Sequence, residues 1–432
     1  GLGDVYKRQP YNEVKALPRG SVMCANKDGI AFAPYPNTFN QSPIEQIDAA
    51  LVAETRHVVR EAVRSRLLSD VPLGCFLSGG LDSSIVTTLA AEALGQVDTF
   101  SVSFENVHDP YHGTSDESEY AAAYASRLGT RHHQVHVTAD TFREDLSRFC
   151  KHADQPFGVS SGLGVLSVAR AAHDQGIKVL LSGDCADECF GGYSWYFYLP
   201  GHGKPNTMAG RMPVNENNAS VSFQNFGMDL ADRLDVLSTY DAHHRAWAWH
   251  YYASEREKAT LFSSEFQAGL QSSLRYFVEF DPSKEWNAEK FIAQDRDFYM
   301  PQEMLRKVDR MTMAYSVEGR VPFAAPSVLS HADKLPFGSM VRGDALKWVL
   351  REAFADILPT EITRRPKHGF NVPIDHWLKG DWSDLVDETF ASSSALHSHG
   401  LIAKDAARTA RRMLNDEVRL SGHTIFCYIM LN

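Results

Sequence analysis

The chain is poor in cysteine and has no long apolar run. Its six cysteines, Cys24, Cys75, Cys150, Cys185, Cys189 and Cys427, are scattered through 432 residues. Cys185 and Cys189 stand four apart, but no second pair joins them in the pattern of a zinc site. The expected state is reduced thiols in a cytoplasmic protein. Nowhere do 18 apolar residues follow one another, so no membrane-spanning helix is expected. A charged start followed by an apolar core, the mark of a secretory signal, is not found either. Positive charge is in deficit, and the formal net charge is −11. That balance argues against a nucleic-acid or anionic-membrane surface. Any anionic ligand must then be met by cations gathered locally. No internal repeat or low-complexity tract is seen. What remains is a globular composition, 44% hydrophobic and 22% charged, long enough for one large or two ordinary domains.

The most informative stretch is Leu77-Ser78-Gly79-Gly80-Leu81-Asp82-Ser83-Ser84. An apolar run, Val71 to Leu77, leads in as a strand. A helical run, Ile85 to Leu94, leads out and stops at Gly95. Gly79 and Gly80 are expected to take positive φ and let the backbone approach a ligand. The free N–H groups of the following helical turn favour an anion. Ser78, Ser83 and Ser84 add hydroxyl donors. Asp82 would repel phosphate unless a cation lay between them, so Mg²⁺ is implied. The stretch resembles the pyrophosphate-binding loop of the ATP pyrophosphatases. It is not a Walker A loop, because that motif's lysine is missing.

Upstream, residues 10–40 read as short strands and turns, with strands near Ser21 to Ala25 and Ile30 to Ala33. Gly1 to Gln9 fit nothing that follows and read as extraneous. Ser42-Pro43-Ile44-Glu45 reads as a capping box opening a long helix. Ile44, Ile47, Leu51, Val58, Val59, Val63 and Leu67 mark that helix's apolar face. Downstream the pattern alternates. Strands are expected at Thr99 to Phe104, His133 to Val137 and Ile177 to Leu181. Helices are expected at Glu117 to Leu128, Thr141 to His152 and Ser161 to Gln175. This order implies an α/β fold with a parallel sheet covered by helices on both faces. Beyond about Tyr193 the strand signal fades. Residues 201–220 read as loop, and the rest reads as a helical C-terminal half with aromatic residues such as Trp247, Trp249, Tyr251 and Tyr252 in its core.

The strand Ile177 to Leu181 runs into Ser182-Gly183-Asp184-Cys185-Ala186-Asp187-Glu188, then Phe190-Gly191-Gly192-Tyr193. In a parallel sheet this turn shares an edge with the first glycine loop, where open α/β sheets bind ligands. Two acidic loops at one phosphate site need metal between them. Asp82 and Asp187 are the expected magnesium ligands, and Asp184 is left for acid–base or electrostatic work. Cations follow downstream. Lys307 and Arg310 would share a helix face, and Lys347 follows in Leu346-Lys347-Trp348-Val349-Leu350-Arg351.

Together these stretches resemble the synthetase domain of glutamine-dependent asparagine synthetases, over roughly residues 43–432. The shared blocks are S-G-G-L-D-S-S, S-G-D-x-A-D-E-x-F-G-G-Y, K-V-D-R-M-x-M-A-x-S-x-E-x-R-x-P-F, L-K-x-x-L-R and R-x-K-x-G-F-x-V-P. The last block comprises Arg365, Lys367, Gly369, Phe370, Val372 and Pro373. The resemblance implies that aspartate attacks the α-phosphate of ATP, giving β-aspartyl-AMP and pyrophosphate, and that ammonia then displaces AMP. It places Leu77 and Val102 on adenosine, Ser78 to Ser83 on pyrophosphate, and Ser182 and Gly183 on ATP. Asp184 takes the acidic position tied to the acyl-adenylate, and Lys347 neutralises charge on the phosphates. Residues 10–40 resemble the end of the family's glutaminase domain.

Two departures stand out. The family's Leu-Asp after Pro322-Phe323 is Ala324-Ala325 here. The glutaminase nucleophile, a cysteine at the mature N-terminus, is absent, so the chain as written is expected to use free ammonia. Its substrates would be aspartate, ATP and ammonia, with glutamine as nitrogen donor in the intact family protein, and a homodimer stays open. A relative with another acceptor is the main alternative. Amidotransferases of peptidoglycan, antibiotic or exopolysaccharide pathways share both loops. So do β-lactam synthetases, which need a tyrosine–glutamate pair that the sequence does not place. A non-catalytic nucleotide-binding relic is a further reading. His132, His133 and His136 raise zinc, but no fourth ligand accompanies them, and they are read as solvated or core histidines.

Overall fold

The structure is a computed structural model. It describes residues 14, 17, 20–35, 43–105, 108–109, 113–114, 118–193, 196, 260–270, 288–365, 372–415 and 421–432. The expected loop at 201–220, the aromatic cluster from Trp247 to Tyr252, and Lys367, Gly369 and Phe370 lie outside the described residues.

Strands β1 (Ser21–Asn26) and β2 (Gly29–Pro34) form a separate antiparallel hairpin. Helix α1 (Ala49–Ser65) begins later than the capping box suggested. Its cap is Asp48, whose Oδ1 accepts the Leu51 N–H at 3.0 Å. Residues 43–48 lie outside the helix, and the Ile44 N–H donates to the Lys334 carbonyl at 3.0 Å. Leu51, Val59 and Val63 are buried as the apolar face requires.

Strands β3 (Leu73–Phe76) and β4 (Asp98–Phe104) flank helix α2 (Leu81–Leu94) in sequence. After the short pair β5 (His108–Asp109) and β6 (Gly113–Thr114) come helix α3 (Ser118–Leu128) and strand β7 (Arg131–Val137). Helices α4 (Ala139–Ala153) and α5 (Ser161–Asp174) lead to strand β8 (Val179–Leu181) and the short helix α6 (Ala186–Phe190). Strand β9 (Glu318–Arg320) completes a sheet ordered β7-β4-β3-β8-β9. Every pairing in it is parallel. β8 starts two residues later than expected, because the Ile177 N–H closes a turn on Ala172 at 2.9 Å.

The side-chain alternation of β8 shows why both faces are covered. Val179 and Leu181 enter one apolar core, shared with α1, α2 and α3. Leu180 enters the other, shared with α4, α5 and the C-terminal helices. A strand buried on both sides reads as an unbroken apolar run, as this one does. In the second core, Trp377 and Trp382 are fully buried, and the Trp382 indole donates to the Ala139 carbonyl at 3.0 Å. Successive strands move outward from β3 through β4 to β7, then from β8 to β9 on the other side. The order therefore reverses between β3 and β8, and ligands of open α/β sheets bind at the carboxyl ends of strands flanking such a reversal.

Candidate active site

β3 and β8 are hydrogen-bonded neighbours with Cys75 opposite Leu181. The first glycine loop leaves β3 and the acidic loop leaves β8, both at this carboxyl edge. In the first loop only Gly79 takes positive φ, at 73°, and a Cβ there would stand 2.8 Å from the Tyr120 Cβ. Gly80 does not share that conformation. It caps α2 at φ −78°, ψ 164°. The helix begins at Leu81, four residues earlier than expected, so Asp82 and Ser83 belong to its first turn. Ser78 and Ser83 brace the turn. The Ser83 Oγ accepts the Ser78 N–H at 3.2 Å, and the two hydroxyls lie 3.1 Å apart.

Ser84 is not at the cleft. It is fully buried, and its N–H goes to the Gly80 carbonyl at 3.1 Å. Consecutive helical residues point about 100° apart, and here Asp82 and Ser83 take the cleft side while Ser84 turns into the core. The cleft is lined instead by Leu77, Ser78, Asp82 and Ser83 from the first loop, and by Ser182, Gly183, Asp184 and Asp187 from the second. Val102 and Lys307 also line it, with Phe104, Val165 and Val168 forming an apolar wall. The sequence offered no signal for those last three beyond their apolar character.

The loops meet through Gly183. A Cβ on it would lie 2.7 Å from the Ser83 nitrogen and 2.9 Å from the Asp82 Cβ. Asp184 is fixed from two sides. The Ser182 hydroxyl donates to its Oδ2, and the Lys307 ammonium lies 3.1 Å from its Oδ1. Lys307 is buried. Arg310, one turn on, is 44% exposed and lies 3.9 Å from Asp154. The structure thus separates two cations that their spacing placed together. The helix Arg306–Met313 continues from a wide π-helical stretch, Asp295–Leu305, with Pro301 inside it. It turns Lys307 inward and Arg310 outward.

Lys347 reaches the site from the other end of the chain. Its ammonium lies 2.6 Å from Asp82 Oδ2 and 2.7 Å from Asp187 Oδ1. Its backbone is left-handed at φ 54°, and its N–H is held by the Gly191 carbonyl at 3.2 Å. Such strain in a non-glycine residue persists only when its surroundings enforce it. Gly192 makes the route possible. A Cβ there would stand 1.9 Å from Asp187 Oδ1 and 2.0 Å from the Lys347 Cε. In the sequence Gly192 stands out only as part of the block Phe190-Gly191-Gly192-Tyr193. Arg351, in the same block, bonds the carbonyls of Leu346 at 2.6 Å, Thr363 at 2.5 Å and Arg365 at 3.1 Å. Arg365 in turn donates to the Gly79 carbonyl at 3.2 Å, with its guanidinium 3.8 Å from the Tyr120 ring centre. Burial pulls the Arg351 guanidinium down, and the Asp82 and Asp187 carboxylates oppose that.

Two carboxylates with hard oxygen donors suit magnesium. Asp82 Oδ1 is buried without a hydrogen-bond partner among the described residues, so an oxygen is available for an ion. Among the described residues no three His, Cys, Asp or Glu side chains converge as a metal cage. An ion here would draw further ligands from a bound phosphate or water.

A tyrosine–glutamate pair does occur. The Tyr193 hydroxyl donates to Glu188 Oε1 at 2.8 Å, but neither residue lines the cleft. Burial, reinforced by Asp187, pushes the Glu188 carboxyl up to about 8. The histidines of β7 contact their strand neighbours. His132 bonds the hydroxyls of Thr99 at 3.0 Å and Ser101 at 3.1 Å, His136 bonds that of Ser103 at 3.2 Å, and His133 bonds Asp98 at 2.8 Å. Ala324 and Ala325 lie off the cleft. Ala325 occupies the N-cap of the helix Pro326–Ala332 without a capping side chain.

A parallel sheet with a glycine loop on each side of its order reversal, acids on both loops and lysines between them defines an α/β fold of the ATP pyrophosphatase type. The chain belongs to the asparagine synthase family, which it matches over residues 54–424. It is 30% identical over 379 residues to asparagine synthetase 1 (glutamine-hydrolyzing) of Bacillus subtilis strain 168, covering 86% of this chain and 58% of that protein. It is 31% identical over 376 residues to a putative asparagine synthetase (glutamine-hydrolyzing) of Mycobacterium bovis, covering 83% of this chain and 54% of that one. It is also 24% identical over 394 residues to amidase chry2 of Gibberella zeae, covering 82% of this chain and 57% of that one. The chain therefore spans little more than half the length of these relatives.

Proposed function

We propose that this chain carries out the ATP-dependent amidation of aspartate through β-aspartyl-AMP. The observation that carries the reading is the meeting of both acidic glycine loops with Lys307 and Lys347 at one sheet edge. An aspartate side-chain oxygen attacks the α-phosphorus of ATP, and the bond to the pyrophosphate oxygen breaks. Ammonia then attacks the acyl carbon, AMP leaves with the attacking oxygen, and a proton is lost to give the amide.

In this reading Ser78, Ser83 and the α2 N-terminus hold the pyrophosphate, and Leu77 and Val102 bound the adenosine. Asp82 and Asp187 would hold magnesium, which when bound neutralises charge on the departing pyrophosphate. Asp184, fixed by Ser182 and Lys307, stands where the acyl-adenylate forms. Lys347 supplies a point charge that matters most as negative charge develops. Its removal should lower kcat about a hundred- to a thousand-fold, an effect of about 3–4 kcal/mol, with ATP affinity nearly unchanged.

Ammonia is the nitrogen source we assign to this chain. A glutamine-hydrolysing cysteine needs a depressed thiol pKa. Here burial pushes Cys75, Cys189 and Cys427 up to about 12 and also raises Cys150 and Cys185. Cys24 lies exposed on the separate β1–β2 hairpin.

A second reading keeps the chemistry and changes the acceptor. The similarity extends to a relative that is not named as an asparagine synthetase, so family membership alone leaves the acceptor open. Pyrophosphate release, measured with ATP, ammonia and a panel of carboxylates, tests both. Release with aspartate above all others supports the first reading. Release with another carboxylate supports the second. No acceptor-dependent release would contradict catalysis at this site.

A further inference from the structure

We propose that Lys347 holds the metal position of the nucleotide-free protein, and that a divalent ion enters only together with nucleotide phosphates, displacing the lysine ammonium toward them. This rests on the reading that a metal–nucleotide complex binds between the two loops.

The ammonium sits where the two carboxylates converge, 2.6 Å from Asp82 and 2.7 Å from Asp187. An ion bridging both carboxylates would take that same point. The side chains concerned are only 4%, 16% and 14% exposed, so water screens little of the repulsion between an ammonium and a divalent ion there. The lysine already neutralises half of the charge that would attract the ion. Two carboxylates alone also leave magnesium short of its six ligands. Phosphates remedy both deficits, since they ligate the ion and accept the displaced ammonium.

The local geometry allows the side chain to move while its backbone stays. The Gly191 carbonyl anchors the Lys347 N–H, and Gly192 presents no Cβ beside the Lys347 Cε. A lysine stem has the rotamers and the three donors that such a transfer needs.

Mn²⁺ binding to the full chain, followed by electron paramagnetic resonance with and without a non-hydrolysable ATP analogue, tests this. Wild type without nucleotide should take up Mn²⁺ at least tenfold more weakly than Lys347→Met. Lys347→Arg, which retains the charge, should remain as weak as wild type. Adding the analogue to wild type should create a bound signal distinct from that of the free metal–nucleotide complex. This last comparison needs no variant and stands even if Lys347→Met does not fold. Tight Mn²⁺ binding to nucleotide-free wild type, or equal affinity in wild type and Lys347→Met, would overturn the exchange while leaving a metal at the site. Absence of bound Mn²⁺ in every sample, with the analogue included, would overturn both the exchange and the metal reading.

Discussion

Gly183 and Asp82 approach so closely across the sheet's order reversal that no Cβ fits between them. A methyl on Gly183 would lie 2.9 Å from the Asp82 Cβ and 2.7 Å from the Ser83 nitrogen. The Ser83 nitrogen is helix backbone and the Asp82 Cβ is fixed directly to it, so neither can yield as a flexible side-chain tip could. Gly183→Ala should force the two loops apart, at a cost of about 1–3 kcal/mol in stability. ATP affinity should fall at least tenfold by calorimetry. A variant with normal ATP affinity would show that the close approach is dispensable.

Lys307 and Arg310 should behave differently despite their spacing. Lys307 is buried against Asp184, whereas Arg310 is half in solvent and 3.9 Å from Asp154. Exposed pairs of the second kind contribute about 0–1 kcal/mol. Lys307→Met should lower kcat/KM at least a hundredfold, and Arg310→Ala should change it less than threefold. Equal losses in both variants would contradict the arrangement.

Nothing in the sequence distinguishes Lys307 from Arg310. Strand–helix alternation was legible because β3, β4 and β8 are short buried runs separated by glycine-terminated helices. Gly95, Gly129 and Gly176 do take positive φ at helix ends, at 80°, 69° and 76°. The meeting of the two loops was legible from the parallel order alone. Side-chain direction was not. Ser84 turns into the core because α2 starts at Leu81, and Arg310, one turn on from the buried Lys307, is left half in solvent beside Asp154. The roles of Gly192 and Arg351 depend on contacts with Lys347 and with the carbonyls of residues 363 and 365, which no local pattern encodes.

Ala325 bears on the departure from the family's Leu-Asp. It stands at an N-cap with no side chain to accept an N–H from the helix that follows. Ala325→Asp should stabilise the protein by about 1 kcal/mol through that cap. Pyrophosphate release should not change, since the residue does not line the cleft. Thermal unfolding of the variant beside wild type measures this, and a lowered Tm would show that burial of the carboxylate outweighs the cap.

His331 gives stability a pH dependence of known sign. It is 2% exposed, and its Nε2 lies 2.8 Å from the Thr55 hydroxyl on α1. Burial lowers its pKa from the ordinary 6.5, with Lys334 adding to the effect and Glu54 opposing it. The unfolded chain then takes up the proton first as pH falls. The stabilising contribution is present above about 6.5 and is lost as pH drops through the folded value. Tm measured from pH 8 to 5 should fall more steeply for wild type than for His331→Gln. Parallel curves would show that His331 is not the group responsible.

In the proposed reaction a carboxylate oxygen of the acceptor attacks the α-phosphorus of ATP. Aspartate carrying ¹⁸O in its side-chain carboxylate, turned over with ATP and ammonia, traces that oxygen directly by mass spectrometry of the nucleotide product. AMP bearing one ¹⁸O in its phosphate, with unlabelled pyrophosphate, is the expected result. ADP as the product with ¹⁸O in inorganic phosphate, or AMP without label, would contradict it.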